Sequence, residues 1–451
     1  MFIKCGKVSD LYADGEDVMI PDIYQLGAGS HKLFVIDTDK FKFSSLTVLF
    51  RVPSELNDVA YNNLLLSVLQ RGTKKHRTVG EINKYLDGLY SMTVSARRYS
   101  ISENHFLGLT CEMLEKRFVY DGIDLEKKAV EFAEEFIYEP LTDEDGLLRG
   151  DYVESEKINI INSLKAQKNN AKAYASLRCR EYLTEGEQAH ITLEELIERT
   201  QSITAEALTE YYKKVTHDCG YVCFYIGNGK GTVIDALSDL LSRHPSDGAF
   251  PNEIALRRAA LPDRVKVNSE QMPLSQSKLS IGYRTDVIAK DADIYAMQML
   301  CEIFGGGPAS KLFMNVREKL GLCYYCSAAY SVYSGVIMVN SGIDHDRAEL
   351  AEKSIDRELA EISCGNISDA ELNAAKLSLK FGYSQIADST ASLENFYLGR
   401  WLTTPGITVN DVINGIDGVT KDDVVRAASH IKKGSLFTVK GDGSADICDL
   451  D

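Results

Sequence analysis

The chain carries the same pattern of apolar and polar positions twice. Residues 45–73 read SLTVLFRVPSELNDVAYNNLLLSVLQRGT, and residues 278–306 read KLSIGYRTDVIAKDADIYAMQMLCEIFGG. In each, an alternating segment typical of a β-strand precedes a polar loop, an apolar helix and a glycine break. Aligned without a gap, Leu46 falls on Leu279 and Gly72 on Gly305. The pattern indicates an internal duplication.

Further matches follow in the same order along the chain. SLK occurs at Ser163 and Ser378, and ITAEAL at residue 203 matches VTKDDV at residue 419, each with a threonine suited to cap a helix. YIGNG at residue 225 then matches VKGDG at residue 439, which predicts a strand ending in a glycine turn. We therefore predict two homologous domains, residues 1–241 and 264–451, joined by a linker at 242–263 that holds three of the nine prolines.

Composition narrows the function classes. The chain has 451 residues, 44% of them hydrophobic, and a formal net charge of −16. This acidity disfavours binding to nucleic acid or to anionic membrane surfaces. No apolar segment is long enough for a signal peptide or a membrane span, so we expect a cytoplasmic protein with no membrane role.

The ten cysteines are too few for a disulfide scaffold in a chain of this length. One C-x-x-C occurs, CYYC at Cys323 and Cys326. Residues three apart on a regular strand point to opposite faces, so we interpret the spacing as chance. The glycine runs GNGKG and FGGGP lack the spacing of a phosphate-binding loop.

The duplicated strand–helix opening ending in RGT, together with LFMNVREKLGLCYYCSAAYS from Leu312, resembles the pitrilysin/insulinase family of zinc peptidases. This family includes the mitochondrial processing peptidases, and the resemblance covers nearly the whole chain. It implies an α+β fold of the metallopeptidase LuxS/processing-peptidase type, with two tandem domains that each pack helices on a mainly antiparallel sheet. Among members without a zinc motif, the chain resembles the bacterial elongation factor P 5-aminopentanol modification-associated group.

The resemblance also locates the zinc site and indicates its loss. Active members carry H-x-x-E-H on the first helix, where two histidines bind Zn²⁺ and the glutamate polarises the bound water. The corresponding residues here are Asn63, Leu64, Leu65, Leu66 and Ser67. The third ligand, a glutamate in active members, corresponds to Ser163, seven residues after Glu156. We therefore predict no zinc, no cofactor and no peptidase activity in the isolated chain.

The family's working chamber takes four such domains, so a two-domain chain implies a partner. We predict a non-catalytic, substrate-binding subunit of a heterodimeric zinc peptidase, whose homologous partner carries H-x-x-E-H and the zinc. The substrate would be a peptide or protein, and a homodimer of the isolated chain stays open.

Three groups are candidates for substrate binding. Arg317 and Tyr324, seven apart in VREKLGLCY, resemble an arginine and a tyrosine that hold substrate in the family. The alternative is that Arg317 is a solvated helix residue and that Tyr324 is a strand residue packed in the core. Gly305, Gly306 and Gly307 lie where silent processing-peptidase subunits carry a longer glycine-rich loop; the alternative is a plain helix stop.

Two further functions are compatible with the sequence. One is a stand-alone peptide-binding or structural assembly protein derived from the peptidase fold. The other is a hydrolase that uses its cysteines, although no convincing Cys–His pairing is visible in the sequence.

Overall fold

The computed structural model describes residues 19–26, 31–52, 58–187, 190–344 and 347–442. Within these ranges the strands form two sheets. The eleven strands described are β1 Asp22–Leu26, β2 His31–Asp37, β3 Phe43–Val52, β4 Thr93–Ile101, β5 Asn104–Leu114, β6 Tyr221–Gly227, β7 Lys266–Gln271, β8 Gln276–Thr285, β9 Cys323–Ser331, β10 Val336–Asp344 and β11 Ile431–Lys440.

Helices make up most of the rest of the described chain. The α-helices are α1 Val59–Leu69, α2 Val79–Asp87, α3 Leu125–Tyr138, α4 Gly150–Ala166, α5 Ala171–Thr184, α6 Leu193–Ser202, α7 Ala205–Asp218, α8 Lys230–Arg243, α9 Ile294–Cys301, α10 Ala348–Ser363, α11 Asp369–Ser384, α12 Thr390–Thr403, α13 Val409–Asp417 and α14 Lys421–Ala428. Two wider π-helical segments, Glu302–Gly306 and Leu312–Lys319, follow α9. Short 3₁₀ turns lie at Lys116–Phe118, Gln167–Asn169 and Gln385–Asp388. No helix in the described ranges is both long and apolar enough to cross a membrane.

The two sheets have the same design. The first has the strand order β1-β2-β6-β3-β5-β4 and the second β7-β11-β8-β10-β9. In each sheet one pair is parallel, β2 with β6 and β7 with β11, while every other pair is antiparallel. Strand for strand, the second sheet repeats the first from β2 onward. The predicted fold class, two mainly antiparallel sheets with helices packed on them, is confirmed.

Helix starts follow the threonines found in the sequence. Thr204 caps α7 by accepting a hydrogen bond from the Ala207 amide, and Thr420 caps α14 by accepting one from the Asp423 amide. Such a side chain satisfies an amide that has no partner inside the helix. These two caps lie at matching places in the two copies, as predicted.

The compact units of the structure draw on separate stretches of chain. The first unit comprises the described parts of residues 1–164, 193–254 and 387–406, and the second those of 165–192, 255–386 and 407–451. In the first unit α12 packs on β6, and in the second α5 packs on β8 and β11. Helix α12 belongs to the second copy of the repeat in sequence but to the first compact unit, and α5 belongs to the first copy but to the second unit. The linker at residues 242–263 stays a prediction about where the copies meet in sequence.

Candidate functional site: the remnant of a zinc helix

Helix α1 has the architecture that the sequence predicted. The side chain of Asp58 caps it, with an oxygen accepting a hydrogen bond from the Ala60 amide at 2.9 Å. Leu64, Leu65 and Leu66 are buried in the core of the first unit. The helix packs against α6 and α7, and it ends one turn before Gly72. The burial of three consecutive leucines explains why this segment folds as a helix although it presents no reactive group.

At the positions that bind zinc in the family, the side chains form hydrogen bonds within the protein. Asn63 and Ser67 are half-buried, and the Ser67 hydroxyl donates a hydrogen bond to the Asn63 carbonyl oxygen at 3.0 Å. The Asn63 side-chain oxygen accepts a hydrogen bond from the Arg98 guanidinium. Leu66, at the position of the catalytic glutamate, is only 5% exposed. Neither a proton acceptor nor an imidazole is present on this face.

Arg98 supplies positive charge beside the position of the first zinc ligand. It lies on β4, next to α1 in space, and burial lowers the pKa of its guanidinium below the ordinary value. An arginine keeps its charge at neutral pH even after such a shift. Because like charges repel, this guanidinium disfavours a divalent cation at Asn63. Sequence reasoning missed Arg98, since nothing in ARRYS identifies which helix it contacts.

The position of the third ligand is also without a metal-binding group. Ser163 is exposed on α4, and Glu156, one of its neighbours on the same helix, accepts a hydrogen bond from Arg71 at 2.8 Å. Across the described ranges, no three His, Cys, Asp or Glu side chains cluster so that they could hold a metal ion. Neutral amide and hydroxyl oxygens are poor zinc ligands beside imidazole and carboxylate. The residues at this position therefore do not fit a zinc ion.

Arg317 lies on the π-helical segment Leu312–Lys319 of the second unit. Its guanidinium stacks over the Phe313 ring at 4.5 Å from the ring centre, and its Nε lies 3.4 Å from a carboxylate oxygen of Glu318. The side chain is 39% exposed. An exposed ion pair of this kind is weak, so the guanidinium can exchange it for another anion or carbonyl oxygen.

Tyr324 lies on β9, an edge strand of the second sheet, and is 60% exposed. Its exposure follows from an irregular register with β10. Cys326 faces Ser341 and Tyr325 faces Gly342, but Cys323 faces Ile343, so Tyr324 is an extra residue without an opposite partner. Such a β-bulge redirects side chains. The alternative of a tyrosine packed in the core is wrong.

The bulge also corrects the interpretation of CYYC. Side chains along a regular strand alternate between its two faces, and one extra residue between Cys323 and Cys326 shifts this alternation by one position. Both cysteines therefore lie on the buried face, at 8% and 4% exposure. The prediction that they point to opposite faces assumed a regular strand and is wrong. The pair lies near both proposed substrate-binding residues. Tyr324 lies between the two cysteines, and the Gly321 and Leu322 amides just before β9 donate hydrogen bonds to the carbonyl oxygens of Arg317 and Val316 at 3.1 and 3.2 Å.

The three glycines lie in different surroundings. Gly305 is buried, and a Cβ there would come within 2.6 Å of the Ala328 backbone nitrogen on β9. Close packing of two backbones thus requires a glycine at this position. Gly306 is exposed, and Gly307 lines a cavity of about 180 Å³ with Pro308 and neighbouring residues of α11.

A larger cavity of the second unit, about 720 Å³, lies elsewhere. Its lining includes five basic residues, Arg257, Arg258, Arg264, Lys266 and Arg284, and three acidic ones, Glu185, Glu187 and Asp263. Glu185 pairs with Lys266 and Glu187 with Arg284, which offsets part of the positive charge. Sequence reasoning did not identify this cavity, because the first two arginines lie in the segment interpreted as a linker. None of Gly305, Gly306, Gly307, Arg317 and Tyr324 lines it.

Comparison with known proteins agrees with this geometry. Residues 202–379 match the family model described as Peptidase M16 inactive domain. The chain is 27% identical over 409 residues to the probable inactive metalloprotease YmfF of Bacillus subtilis, an alignment that covers 90% of this chain and 95% of the relative.

Solved structures share the whole fold. A conserved protein from Enterococcus faecalis superposes with a TM-score of 0.84 at 25% identity, covering 92% of this chain and 97% of that protein. A peptidase M16 inactive domain from Pseudomonas fluorescens superposes with a TM-score of 0.75 at 18% identity, covering 94% of this chain and 99% of that one. The chain is therefore similar over 90% of its length to a probable inactive metalloprotease, and over residues 202–379 to the M16 inactive domain, which confirms the resemblance seen in its sequence.

Proposed function

We propose that this chain is the non-catalytic, substrate-binding subunit of a heterodimeric zinc peptidase of the cytoplasm. Its partner would be a homologous chain that carries H-x-x-E-H and supplies the zinc. The observation that carries the proposal is a retained peptidase fold whose zinc positions hold a buried leucine, an asparagine engaged by Arg98, and two serines. A peptidase fold without a metal site can still bind peptides, and function must be argued from the groups that remain.

Arg317 is the first of those groups. Its stacking on Phe313 fixes the plane of the guanidinium, while the remaining exposed N–H groups can donate to peptide carbonyl oxygens. Hydrogen bonds from a charged donor contribute about 1.5–3 kcal/mol each, which corresponds to roughly tenfold or more in binding.

Tyr324 is the second. Its exposed phenol projects from an edge strand, which has one side of its backbone unpaired within the sheet of the described residues. An extended peptide can pair with such an edge through main-chain hydrogen bonds, and neighbouring side chains then select its sequence. Gly306 and Gly307 remain in the proposal as backbone that a peptide can approach closely, whereas Gly305 is required by packing whatever its role.

The test begins with purification of the chain from its native cell and identification of a copurifying chain with H-x-x-E-H. The two purified chains are then assayed for peptide cleavage separately and mixed. We expect chelator-sensitive cleavage by the mixture at a rate well above that of the partner alone, and none by this chain. Cleavage by this chain alone, or a partner whose rate does not change on mixing, would overturn the proposal.

Variants assign the substrate-binding groups. Arg317→Gln and Tyr324→Phe should each lower kcat/KM of the mixture by about tenfold without loss of pairing. Matched controls are Arg243→Gln and Tyr120→Phe, which change an exposed arginine and an exposed tyrosine of the first unit. If all four variants retain full activity, Arg317 and Tyr324 do not bind substrate. A chain that forms only homodimers and binds peptides without a peptidase partner would instead be the stand-alone binding protein.

A further inference from the structure

The start of β9 brings two thiols together. The register with β10 places Cys326 opposite Ser341 and Cys323 opposite Ile343, two residues apart on the facing strand. Two register steps correspond to about 6.8 Å along a strand, whereas three residues of regular strand would span about 10 Å. Disulfides bridge Cα atoms about 4.4–6.8 Å apart. The bulge therefore moves this pair from a separation that forbids a disulfide to the upper limit of one that permits it.

The bulge places both side chains on the same buried face of β9. Hydrogen bonding with Cys326 and the positive charge of Arg317 favour a thiolate at Cys323. These contacts lower the pKa of Cys323 below its ordinary value, and sharing of the same proton raises the pKa of Cys326. A thiolate is the reactive form of cysteine, so Cys323 is the attacking group.

The other described cysteines contrast with this pair. All the described cysteines except Cys364 are buried, Cys323 and Cys326 included. Burial raises the pKa of the thiols of Cys111, Cys223 and Cys301, which disfavours their thiolates, whereas the groups beside Cys323 outweigh its burial. Cys364 is exposed and has no second described thiol on its helix or in the adjoining turn. An exposed thiol without a nearby partner can be oxidised, but it cannot close an intramolecular disulfide.

We propose that Cys323 and Cys326 are a reversible dithiol–disulfide site, oxidised by small peroxides, and that its oxidation state controls how Tyr324 is presented. In the first step the Cys323 thiolate attacks a peroxide oxygen. The O–O bond breaks, Cys323 becomes a sulfenic acid, and the other oxygen leaves as hydroxide or alkoxide, which takes a proton. In the second step the Cys326 sulfur attacks the sulfenic sulfur, the S–O bond breaks, and the oxygen leaves as water with the Cys326 proton.

With hydrogen peroxide as the oxidant, two thiols and one peroxide molecule are converted into one disulfide and two water molecules. Attack of a cellular thiolate on the bridge returns both cysteines to the thiol form through thiol–disulfide exchange. The site is therefore reversible rather than structural.

Oxidation affects Tyr324 because this residue is the bulge between the two cysteines. Closing the bridge draws the flanking backbone together and changes the direction of the exposed phenol. It also removes the thiolate beside Arg317, which frees that guanidinium from one negative neighbour. The consequence for substrate binding rests on the proposed function, whereas the thiol chemistry does not.

The direct test uses the tryptic peptide of residues 320–347, because Cys323 and Cys326 are the only cysteines in it. The full chain is reduced, exposed to hydrogen peroxide, alkylated and digested. We expect this peptide to lose two hydrogen atoms and escape alkylation, and to regain both alkylation sites after treatment with dithiothreitol. Alkylation of both cysteines at peroxide doses that already modify Cys364 would overturn the proposal.

Variants separate the two steps. Cys326→Ser should halt at the sulfenic acid, which dimedone labels at Cys323, and Cys323→Ser should lose the reaction. Cys364→Ser is the control and should behave as the wild type. Dimedone labelling confined to another cysteine in the Cys326→Ser chain would contradict the assignment.

A second readout tests the link to Tyr324. Binding of a fluorescent peptide substrate to the chain should change by about tenfold between the reduced and oxidised forms, and the change should be lost in Tyr324→Phe. A disulfide that forms while peptide affinity stays constant would disprove the control of Tyr324 and leave the proposed function intact. Absence of peptide binding in both forms, with the disulfide formed, would instead count against the proposed function.

Discussion

The two copies of the repeat follow the same path until the glycine–leucine pair after the second helical segment, and then separate. In the first copy Tyr90 and Ser91 take left-handed conformations, with φ of 59° and 56°, and β4 begins only at Thr93. In the second copy β9 already begins at Cys323 and accommodates Tyr324 as a bulge. The segment that forms a turn at Tyr90 and Ser91 in the first copy is therefore the start of strand β9, with its two cysteines, in the second copy.

This difference shows where a duplicated scaffold can change its chemistry. The zinc positions on α1 hold a leucine and two neutral polar groups, and the matching positions on α9 hold Ala296, Met299 and Leu300. Neither helix can bind a metal through these residues. The reactive and charged side chains of the second copy lie elsewhere. Two thiols and a tyrosine are on the edge strand β9, and Arg317 is on the helical segment that precedes it. The core helices preserve the fold, and the sheet edge is free to vary.

Both copies also retain a glutamate seven residues before a serine, and each glutamate is held by a cation. In the first, Arg71 donates to Glu156 at 2.8 Å; in the second, Lys311 lies 2.8 Å from Glu371. Lys311 is 8% exposed and Arg71 is 35% exposed, whereas Glu371 is 24% exposed and Glu156 is 12% exposed. The cation is therefore the more buried member of the pair in the second copy, and the carboxylate is the more buried member in the first.

The largest effect is expected from restoring the family's glutamate at the silent helix. Leu66→Glu should lower the free energy of unfolding by about 3–5 kcal/mol, because it places an unpaired charge in the core. Urea unfolding followed by circular dichroism measures this. Ser67→Glu, at a half-buried position, is the control and should cost about 1 kcal/mol or less. Equal, small effects of both would mean that α1 still faces a polar cavity able to hold the catalytic group.

The next effect distinguishes the two ion pairs. Glu371→Gln should cost about 3 kcal/mol, since it leaves the buried ammonium of Lys311 without its charged partner. Glu156→Gln should cost about 1 kcal/mol or less, because water can solvate the more exposed guanidinium of Arg71. The same unfolding assay compares them, and a reversed order would show that exposure does not set the difference between the copies.

A pH effect is expected from the first sheet alone. His31 on β2 is buried, stacks on Tyr221 at 4.0 Å, and has a pKa lowered to about 4 by burial. In the unfolded chain this histidine binds a proton below about pH 6.5, whereas in the folded chain it stays neutral down to about pH 4. Its contribution to the free energy of unfolding is therefore fully present above pH 6.5 and is lost progressively between pH 6.5 and 4. From pH 7 to 5 the loss should be about 2 kcal/mol.

The second sheet provides the contrast, because β7, the counterpart of β2, contains no histidine. His31→Asn keeps an acceptor for the Tyr221 amide and should remove this part of the pH dependence. Urea midpoints at pH 5 and pH 7 for both proteins measure it. The same pH dependence in wild type and variant would show that other groups cause it.

The smallest effect on stability is expected from substitutions of the proposed substrate-binding residues. Tyr324→Phe and Arg317→Gln should change the free energy of unfolding by less than about 0.5 kcal/mol, because both side chains are substantially exposed. Thermal unfolding of the two variants checks this. A loss of several kcal/mol would mean that these residues support the fold, and any activity defect would then be indirect.

Sequence reasoning predicted the features that depend on local chemistry. The caps at Thr204 and Thr420, the helix at α1 and the two matching sheets follow from periodicity and from residues close in the chain. The zinc positions were found because a motif of fixed spacing lies within one helix.

The missed features depend on contacts between distant residues. Arg98 reaches Asn63 from another strand, and no local signal specifies that contact. The bulge at Tyr324 is a property of the pairing between β9 and β10, so a pattern of period two mispredicted the faces of its cysteines. The assignment of α5 and α12 to units of the other copy is likewise a choice of packing partner.

The most direct test of the central claim is the zinc content of the purified full-length chain, measured after equilibration with free zinc and removal of loosely bound metal, together with peptide cleavage by the same sample. The account predicts zinc far below one ion per chain and no cleavage that a chelator abolishes. One zinc ion per chain that is lost in Asn63→Ala, accompanied by chelator-sensitive cleavage, would contradict it.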